Sequence, residues 1–550
     1  MTRPVLDHPL IQTDPRLRAA YAESAGIYRI VPAGVATPSS LADLRSLTAW
    51  AQRAGASLTA RGAGSGIPGN SVGAGIIVDL RERMPHRLEV DPARRTAITS
   101  ANITQAELTR AALAHGLRLP PDPASSGWAT LGGMVSTNAS GPRTVRYGPV
   151  RSWVSALEVV TADGESGWLE RGQPTAGLKV PSLAAQRRFR GDAAPVLRSA
   201  AERIAGRFPR TRKNTAGYAL DHWLRSDDDL DLFIGAEGTL GFVTTILWRL
   251  DPIPAGRAGL RIALGSLDDL EPAVQALVPL EPSAVELLDR TFVELIPDRG
   301  GDSPLPPETE AVLLVEFERN DQRGARGAVG DAARALKELA RDVATALTAD
   351  EEKRLWALRH AASPILAALP PERRSLQVIE DGCVPLPALG EYIRAVREAA
   401  ARQELTVVIF GHAGDGNVHV NVLPELARPD WPARIAALFA EVSAAAMALG
   451  GTVSGEHGDG RLRAPLLEQL YGAEVVHLFR RVKTAFDPVG IFNPGVKLGD
   501  GAGSLEQLKV GDAAAAIPDD IALALREIER GGGYARSRVE IAQSGPTPVA

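Results

Sequence analysis

The sequence predicts an α+β protein of two domains, and three observations carry that reading. Its 550 residues are three to four times a typical domain. Strand-length apolar runs and helix-length runs both recur along the chain, without an internal repeat or a heptad. Pro252 and Pro254 read as a linker between two kinds of patterning. The expected boundaries are a lead-in over 1–30, a first domain over 31–253, a second over 254–498 and a tail over 499–550.

In the first domain, Ser39 and Ser40 offer an N-cap for a helix running to about Gln52 and stopping at Gly55. A strand over 57–61 leads into the glycine loop Gly62-Ala63-Gly64-Ser65-Gly66-Ile67-Pro68-Gly69-Asn70, and a second strand spans 75–80. Thr104 and Glu107 have capping-box spacing for a helix ending near Gly116. Residues 119–150 read as a long Pro/Gly/Ser-rich loop, 156–161 as a strand, and 165–212 as a basic, irregular stretch. In the second domain, strands near 259–264 and 311–317 alternate with helices near 267–278 and 327–347, and a further helix spans 432–448. The tail loosens in composition and carries one short helix near 519–529.

Composition excludes several classes. Hydrophobic residues at 45% and charged residues at 23% are the proportions of an ordinary globular protein, not of a disordered one. With 61 basic and 66 acidic side chains the formal charge is -5, so there is no bulk electrostatic case for nucleic acid. One cysteine, Cys383, rules out an internal disulfide, an all-cysteine zinc site and an iron–sulfur cluster held by this chain alone. The first residues lack an apolar signal core, and no window of apolar residues is long enough to span a membrane. The expected location is cytoplasmic, with attachment to the inner membrane only through a partner.

Three constellations carry chemistry. The loop after Arg61 supplies glycines whose backbone N–H groups can ring a phosphate. It runs into a strand and not a helix, which argues against a Rossmann site, and a plain surface hairpin is the alternative. The stretch from Pro121 to Gly133, continuing through Asn138–Gly141 to Tyr147 and Gly148, has the density of small residues that suits backbone lying against a flat ligand, with a flexible linker as the alternative. The third is a hairpin. Residues 407–412 form a strand, 413–417 a turn, and 418–422 a return strand in which the valines take one face and His419 and Asn421 the other. Closing it brings His412 and His419 together. Glu456 and His457, between glycines, add a carboxylate and a third imidazole. Two His and one Glu suit a borderline divalent metal with an open position, against the alternative of a structural or solvated pair.

In this order the motifs resemble the FAD-linked oxidoreductases of the vanillyl-alcohol oxidase superfamily, over residues 30–498, and within it the D-lactate, glycolate and D-2-hydroxyglutarate dehydrogenases. The resemblance implies a two-subdomain PCMH-type FAD-binding domain followed by an α+β FAD-linked oxidase C-terminal domain. It implies cofactor contacts from Arg61, Gly62, Ala63, Gly64, Ser65, Gly66, Ile67, Pro121, Asp122, Thr130, Gly132, Gly133, Asn138, Gly141, Tyr147, Gly148, Glu237, Gly238, Val243 and Asn493. His412, His419 and Glu456 fall at the family's metal ligands, for zinc or manganese, His457 at its general base, and Arg359 at the arginine that holds the substrate carboxylate. The implied activity is oxidation of a D-2-hydroxy acid to the 2-oxo acid, with hydride passing to non-covalent FAD. Electrons would leave through a separate iron–sulfur protein, cytochrome, electron-transfer flavoprotein or quinone, and the basic stretch 185–213 is a candidate dock for an acidic partner. Where 2-hydroxyglutarate enzymes place a lysine, this chain runs Ile379-Glu380-Asp381-Gly382, which speaks for a substrate with one carboxylate. Two alternatives stand beside this reading: a non-redox FAD-holding transferase resembling alkyl-dihydroxyacetone-phosphate synthase, and a non-catalytic flavoprotein subunit.

Overall fold

The computed structural model describes residues 6–172, 183–296, 305–499 and 505–544. Among these residues the strands form four sheets. The smallest layer with a parallel core has the order Ile11–Gln12, Gly34–Ala36, Ile76–Asp79, Leu58–Arg61. Leu58–Arg61 runs parallel to Ile76–Asp79, with Leu58 opposite Ile76 and Arg61 opposite Asp79. The glycine loop is therefore not a hairpin turn. It is the crossover between two parallel strands, made by loop instead of the usual helix. The helix Leu41–Ala54 is capped as its sequence predicts: Ser40 accepts from the Asp43 N–H, and Gly55 closes it in the left-handed region.

A five-stranded antiparallel sheet follows, in the order Leu88–Asp91, Thr96–Ser100, Phe242–Arg249, Val154–Val160, Ser166–Glu170. Three segments differ from expectation. Residues 119–150 are not wholly irregular: Thr130 caps a helix over Leu131–Thr137 and a short one spans Thr144–Tyr147. The stretch 165–212 holds the strand Ser166–Glu170 and helices over Ala184–Arg188, Ala194–Ser199 and Ala201–Arg207, while its residues 173–182 lie outside the described ones. Several of its cations are paired with acids outside the stretch, Arg188 with Asp163 and Arg190 and Arg198 with Asp227, so these are not free to meet a partner. Third, the helix expected over 327–347 ends early: Gln322–Ala335 is helical and Ala340–Ala346 is an edge strand.

The second half forms a seven-stranded antiparallel sheet, in the order Ala340–Ala346, Gly256–Leu264, Ala311–Arg319, Ala284–Asp289, Thr406–His412, Asn417–Leu423, Leu376–Cys383. Alternation decides its two faces. Val418, Val420 and Val422 join Val285 and Leu287 in the core beneath the helices Leu270–Leu277, Gln322–Ala335, Leu389–Arg402 and Trp431–Ala448. The other face carries Glu286, His412 and His419 and looks toward the first half. The register pairs Glu286 with His412 and Phe410 with His419, which puts all four side chains on that face. Residues 505–544 are packed and not loose. The expected helix is present as Asp519–Gly531, and a second one spans Arg538–Gln543. No described helix is long and apolar enough to cross a membrane.

Candidate active site

A cavity of about 980 Å³ opens between the glycine loop and the polar face of the seven-stranded sheet. All of Arg61, Gly62, Ala63, Gly64, Ser65, Gly66 and Ile67 line it, with Asp122, Thr130, Gly132, Gly133, Gly141, Glu237, Gly238 and Val243. From the sheet side come His412, His419, Glu456, His457 and Arg359. Small residues are required in the loop wall. A Cβ on Gly62 would lie 2.3 Å from the Thr130 hydroxyl, and Gly64 has φ +74° with the Arg61 guanidinium 2.4 Å from where its Cβ would be.

Five residues expected at the cofactor stand behind the wall instead. The Pro121 carbonyl accepts from Gln105, and Asn138 closes the helix Leu131–Thr137 in the left-handed region while its Oδ1 accepts from the Arg151 N–H. The Tyr147 hydroxyl donates to Glu318 at 2.6 Å, and Gly148 ends the short helix Thr144–Tyr147. Asn493 donates to the carbonyls of Asn70 and Glu237, both at 2.8 Å. It ties the glycine loop to the 237 segment. Polar side chains in a glycine-rich stretch look alike in sequence whether they meet a ligand or their own backbone.

The imidazoles converge. The Nε2 atoms of His412, His419 and His457 lie 2.9, 3.4 and 3.8 Å from one carboxylate oxygen, Oε1 of Glu456. Each ring is fixed from its far side. Nδ1 of His412 meets the Glu286 carboxylate at 2.6 Å, Nδ1 of His419 meets the Glu380 carbonyl at 2.6 Å, and Nδ1 of His457 meets the Glu380 carboxylate. A carbonyl only accepts, so His419 carries its proton on Nδ1 and turns the Nε2 lone pair toward Glu456. The ligand atoms of His412, His419 and Glu456 all lie within 4.8 Å of one another. Imidazole and carboxylate donors with their outer nitrogens already tied down are the donor set of a borderline divalent cation, and the residues fit one.

Electrostatics separate the three rings. Burial pushes His419 down to about 4, so it is a neutral donor. Burial acts the same way on His457, but the carboxylates of Glu380 and Asp381 outweigh it and raise that ring to about 9. With the protein's charges alone His457 is therefore an imidazolium at neutral pH, not the ring of ordinary pKa that the sequence suggests. A divalent cation beside Nε2 acts in the opposite sense. Burial opposes ionisation of Glu456, yet Lys213 and His412 hold its carboxyl well below the usual range. Burial likewise opposes Glu286, and His412 with Arg359 holds it at about 2.

Arg359 comes from the helix Ala349–His360 and is buried over the Phe410 ring. Its Nε donates to Glu286 at 2.6 Å, so Glu286 orients both the arginine and His412. Sequence reading missed Glu286, Lys213 and Arg463. Lys213 is buried and donates to Oε2 of Glu456 at 2.8 Å, which turns Oε1 toward the rings. Arg463 donates to Glu380 at 2.6 Å. Asp381 does not face the cavity; its carboxylate accepts the backbone N–H groups of Glu456 and His457. Of the acidic pair in Ile379–Gly382, only Glu380 reaches the cavity, and its charge is balanced by His457 and Arg463. Cys383 is buried and not in the cavity wall.

A model of the FAD binding domain matches residues 32–169, and one of the C-terminal domain of FAD linked oxidases matches 257–496. Among curated proteins, the D-lactate dehydrogenase of Archaeoglobus fulgidus is 30% identical, over 84% of this chain and 90% of its own length. The chain belongs to the FAD-linked oxidase family. The glycolate oxidase subunit GlcD of Bacillus subtilis is 29% identical, over 85% of this chain and 89% of the relative. The D-2-hydroxyglutarate dehydrogenase of Stutzerimonas stutzeri is 28% identical, over 84% of this chain and 90% of the relative. Among solved structures, p-cresol methylhydroxylase with substrate bound superposes with a TM-score of 0.64 at 14% identity, covering 89% of this chain and 94% of that one. Alkyldihydroxyacetonephosphate synthase gives 0.60 at 15% identity, covering 89% and 84%. At those identities the likeness is one of fold. This member of the family is an FAD oxidoreductase with the two-part α+β architecture that its sequence predicts.

Proposed function

We propose that this chain oxidises a D-2-hydroxy acid, such as D-lactate or glycolate, to the 2-oxo acid. One observation carries the reading: three imidazoles around a carboxylate and an anchored arginine face the same cavity as the glycine loop. FAD, when bound, supplies the acceptor for the hydride that leaves the substrate Cα. A divalent metal on His412, His419 and Glu456 would supply Lewis acidity to the substrate oxygens. The protein's own residues do the rest. Arg359, held through Nε, keeps its Nη edge for the substrate carboxylate, and a guanidinium fork suits that group. His457 takes the hydroxyl proton, and Glu380 steadies the resulting imidazolium through Nδ1. Gly238, Val243 and the loop 61–67 form part of the same cavity wall.

FAD is expected to be held non-covalently, because the loop 61–69 carries neither a histidine nor a cysteine. Among the described residues, the histidines that line the cavity are His360, His412, His419 and His457, all from the second half. The test is anaerobic stopped-flow mixing. D-lactate is expected to bleach the flavin and a chelator to block the bleaching with FAD still bound, whereas no bleaching by any 2-hydroxy acid would overturn the proposal. Since only one carboxylate-binding arginine is proposed, D-lactate is expected to give a higher kcat/KM than D-2-hydroxyglutarate, and the reverse order would remove the monocarboxylate reading.

The electrons then need an exit. The single cysteine is buried away from the cavity, so a cluster in this chain is excluded and a separate acceptor is the reading we favour. Turnover with an artificial dye is expected to exceed turnover in air. Fast peroxide formation without an added acceptor would make the protein an oxidase.

A further inference from the structure

The helix Ala349–His360 brings more than Arg359 to the cavity. Glu352, Trp356 and Arg359 recur at spacings of four and three, so they share one helix face, and all three line the cavity wall. Leu355 and Trp356 share an apolar cluster with Val312 and Leu314. Alternation along Ala311–Arg319 puts Glu316 and Glu318 on the same side of the sheet as those two residues. Glu352 is 8% exposed, and its Oε1 has no hydrogen-bond partner among the described residues. The other acids of the cavity wall, Asp122, Glu237, Glu380, Glu456 and Glu529, each pair with an arginine or a lysine. Glu352 is the exception among the described residues.

The arginines on this side of the cavity are already taken. The Arg143 guanidinium lies 5.6 Å from the centre of the Trp356 ring. It donates to Glu316 through Nε and Nη2 and to Asp122 through Nη1. Arg257 donates to Glu318 at 2.8 Å, and Arg118 takes both oxygens of that carboxylate. Three guanidiniums thus meet three carboxylates, and Glu352 is a fourth acid with no cation left for it. Burial, and after it the Glu316 carboxylate, push the Glu352 carboxyl up to about 7. A buried carboxyl left over in this way favours a hydrogen-bond donor beside it and opposes a further anion.

We propose that Glu352 is a specificity-determining residue, which admits a 2-hydroxy acid whose side chain is neutral or ends in a hydrogen-bond donor and disfavours one that ends in a second carboxylate. This rests on 2-hydroxy-acid oxidation with the substrate carboxylate on Arg359. Residues 352 and 359 stand about 10 Å apart along the helix axis, so a side chain extending from Arg359 past Trp356 runs toward the Glu352 carboxyl. The test uses the holoprotein at about pH 8, where that carboxyl is ionised. The substrates are an isosteric pair, D-2-hydroxyglutarate and its 5-amide, with D-lactate as reference. Wild type is expected to favour the amide over the acid at least about tenfold in kcat/KM, since like charges brought together disfavour binding. Glu352→Gln is expected to narrow that preference at least about fivefold, with kcat/KM for D-lactate and FAD affinity within about twofold of wild type. Glu352→Lys, which supplies the missing cation, is expected to raise kcat/KM for the acid above that of wild type. An amide-to-acid ratio that stays within about twofold of wild type in both variants would overturn the proposal. Loss of FAD affinity in Glu352→Gln with the ratio kept would overturn it too, and make Glu352 a flavin contact. A wild type that oxidises no 2-hydroxy acid would overturn the reading of the reaction, and the specificity role with it.

Discussion

Glu456→Gln is expected to cut 2-hydroxy-acid oxidation by at least about a thousandfold, the scale at which removal of one preorganised charge acts in an active site, while FAD stays bound. The substitution keeps the shape and removes the charge. Oε1 of Glu456 is the point to which three Nε2 atoms turn, and Oε2 holds Lys213 at 2.8 Å. A neutral amide cannot balance Lys213 and a divalent cation together, so metal content is expected to fall in parallel. The flavin wall around Gly62–Ile67 does not include this residue's partners, so the visible spectrum should persist. Elemental analysis and anaerobic flavin reduction on one preparation check both halves. A variant that keeps turnover within tenfold of wild type would remove Glu456 from the chemistry.

His457→Ala is expected to slow flavin reduction by about 10²–10⁴, the range for loss of a general base, with metal content retained. The ring is the outermost of the three, at 3.8 Å from Oε1 of Glu456, and its Nδ1 is held by Glu380, itself locked by Arg463. That geometry suits a group that takes a proton while the Glu380 carboxylate balances the charge it gains. Equal loss of metal in this variant would make His457 a ligand and leave the base unassigned.

The polar hairpin was legible from sequence because strand alternation is a strict rule: once Val418, Val420 and Val422 are buried, His419 must point the other way. Capped helices such as Leu41–Ala54 were legible for the same local reason. The parallel pairing of Leu58–Arg61 with Ile76–Asp79 was not, since glycine turn chemistry is identical in a hairpin and in a crossover. The strand Ala340–Ala346 reads as helix through its alanines, and only its place beside Gly256–Leu264 makes it a strand. The helix Leu131–Thr137 forms despite Gly132 and Gly133 because Thr130 caps it and the neighbouring sheet covers it. The roles of Lys213, Glu286 and Arg463 were not legible. Each is a single charge in an ordinary setting, and its meaning lies in a partner 243, 126 or 83 residues away.

The packing of residues 505–544 against the first strands sets an order of events during synthesis. Arg16 and Asp520 are 504 residues apart in the chain, yet they meet at the edge of the parallel strands. Chains fold as they emerge, first segments first. Here the first sheet is left with an open flank until the last helices are made. The entropic penalty of joining such distant ends is modest, about 2 kcal/mol more than for a loop one tenth as long, because it grows only with the logarithm of length. The delay is therefore one of time and not of energy. A nascent chain presents its glycine loop without that cover until residues 505–544 have been made.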